Sequence, residues 1–290
     1  MLDFDEVARS LLELADLLIQ QHAPARMLAS VDSLPDKCSI PADSILIARN
    51  EVDHERATDL LDGVSGACVL DVPGVKLDRT GQVNLAILLA MSQHVLAKGD
   101  SAVFLVGEQG KLIDTLHMMT IGDQLNLAGV IDDGVADPKH VRRAVFQRTV
   151  NIALTLAAEG REGKPIGAFF VIGDSVRVAE HTEQLIINPF RGYPEDMRNI
   201  LDTSLNETVK EFSSIDGAFV IRGDGVIESA GTLIRASLVD EDLPKGLGAR
   251  HAAAAGITTV TDAIAITISE SDGTVRVWRS GKIISSFEHG

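Results

Sequence analysis

Between residues 4 and 20 the apolar positions Val7, Leu11, Leu14 and Leu18, with Leu12 and Ala15 beside them, recur every three or four residues. That spacing predicts an amphipathic helix. Short, largely apolar runs at residues 44–48, 67–72 and 101–106 read as buried strands, the second stopped by Pro73-Gly74. Helices are expected between them, over 51–61 and, strongly apolar, over 82–97. Strands alternating with helices argue for a small parallel α/β layer. Residues 122–135 read as a further strand and turn, with Asp132-Asp133-Gly134 as the turn.

The pattern changes near Ala136-Asp137-Pro138, so a domain boundary is expected there, giving domains of residues 1–135 and 136–290. A long helix follows over 140–159, with Val145, Thr149, Ile152 and Leu156 on one face. Residues 166–172 read as a buried strand, 185–194 as a loop, and 197–212 as a helix. Strands at 216–221 and 225–229 are joined by the turn Arg222-Gly223-Asp224-Gly225, with glycines where a positive φ is needed. Further strands are expected at 263–269, 274–279 and up to Phe287. The expected class is α/β: a small amino-terminal α/β domain, then a domain whose mixed central sheet is flanked by helices.

Charge narrows the possible partners. The 290 residues hold 26 Lys and Arg against 42 Asp and Glu, a net charge of −16. A non-specific grip on DNA or on an anionic membrane is therefore not expected. No apolar run reaches the roughly 20 residues of a membrane span, and residues 1–19 lack the basic start and apolar core of a signal peptide. Cys38 and Cys68 stand apart from any partner ligand and read as free thiols. A cytoplasmic protein is expected. The histidines at 54, 94, 117, 140 and 181 are single, without metal spacing.

Two stretches carry candidate chemistry. Gly246-Leu247-Gly248-Ala249-Arg250-His251 runs into an alanine-rich segment and reads as a loop opening into a short helix, with Gly256 as its stop. A helix amino terminus presents free N–H groups and suits phosphate, and Arg250 adds a planar fork. The plainer reading is a helix start with one surface arginine. Asp216-Gly217-Ala218 sets an aspartate at the head of a strand. Such a carboxylate can hold Mg²⁺ or Mn²⁺ or orient a sugar hydroxyl, or simply cap its own turn.

In this order, Asp216-Gly217-Ala218, Gly248-Ala249-Arg250-His251 and Ser269-Glu270 resemble the diadenylate cyclase domain. Ile166-Gly167-Ala168-Phe169-Phe170 resembles its first strand, and Gly231-Thr232-Leu233-Ile234 follows in place; the likeness runs from about Ala136 to Phe287. With an additional amino-terminal α/β domain, the chain looks most like the archaeal branch. The segment Lys98–Gly107 loosely resembles the carboxy-terminal domain of pyruvate kinase, which suggests a regulatory or assembly module.

The resemblance implies that two ATP molecules condense to cyclic di-AMP with release of two pyrophosphates, assisted by Mn²⁺ or Mg²⁺. By the same resemblance Asp216 binds metal and positions the attacking 3′-hydroxyl, and Arg250 and His251 hold the triphosphate. Gly217 and Ala218 lie at the nucleotide, the backbone of Gly248 and Ala249 meets phosphate or ribose, and Ile234 packs on adenine. Ser269 and Glu270 sit near phosphates or metal, Glu270 as a second ligand. The product is two-fold symmetric, so self-association through this domain is implied. The family's usual Arg-His-Arg triplet here ends in Ala252, and its usual Thr is Ala249. Arg235 or Lys245 could replace the missing guanidinium. The alternative is a catalytically impaired nucleotide-binding regulatory protein on the same fold.

Overall fold

The structure is a computed structural model that describes residues 4–22, 24–122, 131, 140–160, 166–236 and 248–288. The chain divides into two compact units, Met1–Asn126 with Phe287–Gly290, and Leu127–Ser286.

The first unit runs α1 (Phe4–Gln21), β1 (Ala25–Ser30), β2 (Ile45–Ala48), α2 (Glu51–Leu60), β3 (Cys68–Asp71), α3 (Arg79–Ser92), β4 (Ser101–Val106) and β5 (Thr115–Thr120). Its sheet has the order β3-β2-β1-β4-β5, parallel except for β5, which runs antiparallel to β4. Ala8, Leu12 and Ala15 of α1 bury against Met27, Ala29, Val103 and Leu105. Periodicity thus finds the parallel layer but passes over β1 and β5. In β1, Arg26 interrupts the apolar run, and its guanidinium reaches the Val95 carbonyl at 2.9 Å. The edge strand β5 is mostly exposed. The helix expected to continue to residue 97 stops at Ser92, because His94 takes a positive φ of 57°.

The second unit runs α4 (Arg143–Glu159), β6 (Phe169–Ile172), α5 (Ser175–Glu180), β7 (Thr182–Gln184), α6 (Asn206–Phe212), β8 (Ala218–Ile221), β9 (Ile227–Ile234), α7 (Ala249–Val260), β10 (Ile264–Ile268), β11 (Val275–Arg279) and β12 (Lys282–Phe287). Its seven strands lie in the order β12-β11-β10-β6-β8-β9-β7. The β6–β8 pair is parallel, and β10 is antiparallel to both β6 and β11. The sheet is therefore mixed, as the pattern predicts. Phe169, Val171, Ala218, Val220, Ala265 and Trp278 form a core with Ala254, Ala255 and Ile257 of α7.

Two expectations for this unit need correction. The helix expected over 197–212 is broken into short 3-10 turns at Glu195–Arg198 and Thr203–Leu205, followed by α6. Asn199 is pulled into extended geometry, where its side chain donates to the Asp224 carbonyl at 3.2 Å, and Ile200 N–H donates to Gly225 O at 2.8 Å. Tertiary bonds outweigh the local helical pattern there. Helix α7 does not stop at Gly256 but runs on to Val260, with Gly256 buried inside it. The boundary residues 136–138, the turn at 132–134 and the positions 245–247 lie outside the described residues. Among the described residues no helix is long and apolar enough to cross a membrane.

Candidate active site

Three segments converge on one cleft of about 760 Å³ in the second unit. Asp216 and Gly217 reach it from the head of β8, Gly248 to His251 from the first turn of α7, and Ile268 to Asp272 from the end of β10. Thr232, Leu233 and Ile234 of β9 close one side, and Arg276 of β11 another. No side chain caps α7, because its N-cap is Gly248. The first turn therefore offers free N–H groups and the positive end of the helix dipole to the cleft.

Arg250 ties the motifs together. Its Nη1 donates to Glu270 Oε2 at 2.9 Å and its Nη2 to Asp216 Oδ1 at 3.2 Å. Room for the guanidinium comes from Gly167, where a Cβ would collide with it. The two carboxylates are 91% and 70% exposed, so each pair contributes little, of order 0–1 kcal/mol, and breaks easily.

His251 is buried against Trp278, with ring centroids 5.9 Å apart. Burial first, and then the charge of Arg276, bring its pKa down to about 4; Asp272 opposes the shift and Arg250 adds to it. The ring is neutral at physiological pH. Its Nε2 lies 3.2 Å from Arg276 Nη1. A guanidinium only donates, so Nε2 accepts and Nδ1 carries the proton. Burial pushes the Asp272 carboxyl up, but the Thr274 N–H, the Ser269 and Thr274 hydroxyls and the Arg276 charge outweigh it and hold the pKa at about 2.

The chain matches the family described as DisA bacterial checkpoint controller nucleotide-binding (DAC) over residues 155–283. A diadenylate cyclase of Methanocaldococcus jannaschii is 37% identical over 206 residues, covering 70% of this chain and 64% of that protein. A diadenylate cyclase of Haloferax volcanii is 39% identical over 198 residues, covering 67% of this chain and 70% of that protein. The chain belongs to the diadenylate cyclase family. A shorter match, 41% identical over 69 residues, covers 23% of this chain and 24% of a Listeria monocytogenes diadenylate cyclase.

Set on this diadenylate cyclase domain, Asp216, Gly217, Ile234, Gly248, Ala249, Arg250, His251, Ser269 and Glu270 all line the one cleft. Ala218 does not: its side chain is fully buried in the core of β8, because the strand pleat turns it away from Gly217's side. Gly217 has a φ of 110°, and the backbone that approaches it closely is that of Gly231 and Thr232 in β9. Ser269 Oγ is 3.0 Å from Ser271 Oγ. Arg235 is paired with Glu183 and does not line the cleft. Lys245 lies outside the described residues. Arg276 and Asp272 also line the cleft and stand outside the motifs. The available signal for Arg276 was its place two residues before Trp278, on the same face of an apolar strand.

The donor set fits a hard divalent cation. Asp216 and Glu270 bring two carboxylates to one guanidinium, and no group of three metal-ligating side chains exists among the described residues. Mg²⁺ is commonly held by one or two carboxylates, with substrate phosphates completing the shell.

Proposed function

We propose that this chain condenses two ATP molecules into cyclic di-AMP, releasing two pyrophosphates. The observation that carries the reading is Arg250 bonded to both Asp216 and Glu270 at the uncapped start of α7, inside one cleft. Phosphoryl transfer asks for positioning and charge neutralisation more than covalent chemistry. The exposed ion pairs let Arg250 turn to a phosphate oxygen at small cost. The α7 N–H groups receive a second anionic oxygen. Ile234, 5% exposed at the cleft wall, supplies an apolar surface for the adenine. Asp216 orients the attacking 3′-hydroxyl.

Asp216 and Glu270 would hold the metal. Mn²⁺ or Mg²⁺ there supplies positive charge for the transferring phosphoryl group and the departing pyrophosphate. That charge is needed, because the cleft lining carries three carboxylates, Asp216, Glu270 and Asp272, against two guanidiniums, Arg250 and Arg276. A triphosphate entering such a lining is repelled without added cations. Each ATP must attack the other, so two clefts face each other across a two-fold axis while the ring closes.

The test is incubation with ATP and Mn²⁺ or Mg²⁺, with chromatography for cyclic di-AMP and pyrophosphate. Product is expected with wild type and none with Asp216→Asn. ATP binding without any cyclic product, over both metals and a range of protein concentrations, would reject the cyclase and leave the nucleotide-binding regulator.

A further inference from the structure

The cleft has a second cation that neither the motif nor its usual third arginine accounts for. Arg276 is half-buried on β11, and its side chain lines the same cleft as Arg250. The other arginine of the cleft, Arg250, is matched by Asp216 and Glu270, and Arg235 at the end of β9 is matched by Glu183. Arg276 forms no ion pair among the described residues. Its hydrogen-bond partner is the neutral imidazole of His251 at 3.2 Å. A guanidinium has five donors, and one acceptor leaves most of them unused. A charge taken partly out of water without a direct counter-ion is costly unless a ligand supplies one.

The surroundings fix where this side chain points. Arg276 stands opposite Thr267 in the β10–β11 ladder, and Trp278, on the same face, donates its Nε1–H to Thr267 Oγ1 at 2.9 Å. That face is covered by α7. His251, on the buried side of α7, packs beside Trp278 and accepts a hydrogen bond at Nε2 from Arg276 Nη1. The guanidinium is therefore braced on one nitrogen by a ring that is itself packed in place, and its remaining donors are left for the cleft. Asp272, also in the lining, is near enough for its carboxyl to feel the Arg276 charge, yet it is bound by the Thr274 N–H at 2.9 Å rather than by Arg276.

We infer that Arg276 is a phosphate-binding residue of the nucleotide site, held in place by His251, which acts as a positioning residue. It rests on the reading of the cleft as an ATP site. Ala252 does not line the cleft. The guanidinium that the shortened triplet lacks is supplied instead from the neighbouring strand.

The experiment is titration of the full chain with ATP and with adenosine in the presence of Mg²⁺, using ligand-observed NMR for the weaker ligand. Arg276→Gln is expected to weaken ATP binding roughly ten- to hundred-fold, the range of a lost charge-assisted hydrogen bond. Adenosine affinity is expected to stay the same, which shows the fold is intact. Arg276→Lys, with the charge but without the fork, falls between. His251→Phe weakens ATP binding in the wild-type background and has little further effect in Arg276→Gln, the non-additivity of two residues acting as one. Unchanged ATP affinity in Arg276→Gln overturns the inference, as does an equal loss for adenosine. Wild type that binds ATP without making cyclic product rejects only the cyclase reading. Wild type that fails to bind ATP overturns both.

Discussion

Two glycines beside the cleft exclude a side chain for different reasons. At Gly217 the φ of 110° is outside the range of other residues, and a Cβ would sit 2.5 Å from Thr232 N in the β9 backbone. Neither obstacle can move without disturbing the β8–β9 pairing, so Gly217→Ala is expected to lower stability by about 1–3 kcal/mol or more. At Gly167 the nearest obstacle is the flexible end of Arg250, with the Glu270 Cβ next at 3.0 Å. Gly167→Ala is expected to leave the melting temperature close to wild type, displace the guanidinium and cut cyclic di-AMP formation. Thermal melts run beside the product assay separate the two. A destabilised Gly167→Ala protein with normal turnover would show that Gly167 serves packing rather than the cleft. Asp216, Arg250 and Glu270 were legible because each stands in a short contiguous motif. Gly167 and Arg276 were not, because their use arises only where β6, α7 and β11 meet.

Among elements, α7 does the positioning, and its seat is the face of β10 and β11 that carries Thr267 and Trp278. Trp278 is fully buried and packs beside His251, with its indole N–H on Thr267. Trp278→Phe keeps most of the apolar contact but leaves the buried Thr267 hydroxyl without its donor. The expected loss is about 1–3 kcal/mol, measured by urea unfolding followed by circular dichroism. Since His251 loses a neighbour, ATP affinity is expected to fall with it. Full stability in that variant would mean that Thr267 finds another partner and that the α7 seat does not depend on this bond. Element legibility followed the same logic. Buried runs such as Ser101–Val106 announced themselves, because both faces of the strand are apolar. Strand β1 did not, although it is central to its sheet, since Arg26 breaks the run and its guanidinium donates to a carbonyl distant in sequence, that of Val95. The broken helix near Asn199 obeyed partners in the β8–β9 turn that no local pattern contains.

For the whole molecule, the net charge of −16 opposes the arrival of a polyanionic nucleotide, and the cleft's three carboxylates add to that; its two arginines offset the repulsion only at contact. The two effects have different ranges. The repulsion is summed over the surface and reaches as far as the Debye length, about 30 Å at 0.01 M salt and about 8 Å at 0.15 M. The arginine contacts act over a hydrogen bond's length in a partly buried site and are screened far less. Raising ionic strength therefore removes mainly the repulsive part. The association rate of a fluorescent ATP analogue, followed by stopped flow in the absence of divalent metal, is expected to rise from about 0.01 M to about 0.15 M salt. Saturating Mg²⁺ lowers the charge of the incoming nucleotide and should flatten that slope. Basic nucleotide sites behave in the opposite way, slowing as salt screens an attraction. A rate that falls steadily with salt would mean that Arg250 and Arg276 set the long-range field at the cleft mouth, and that the acidic surface lies too far from it to matter.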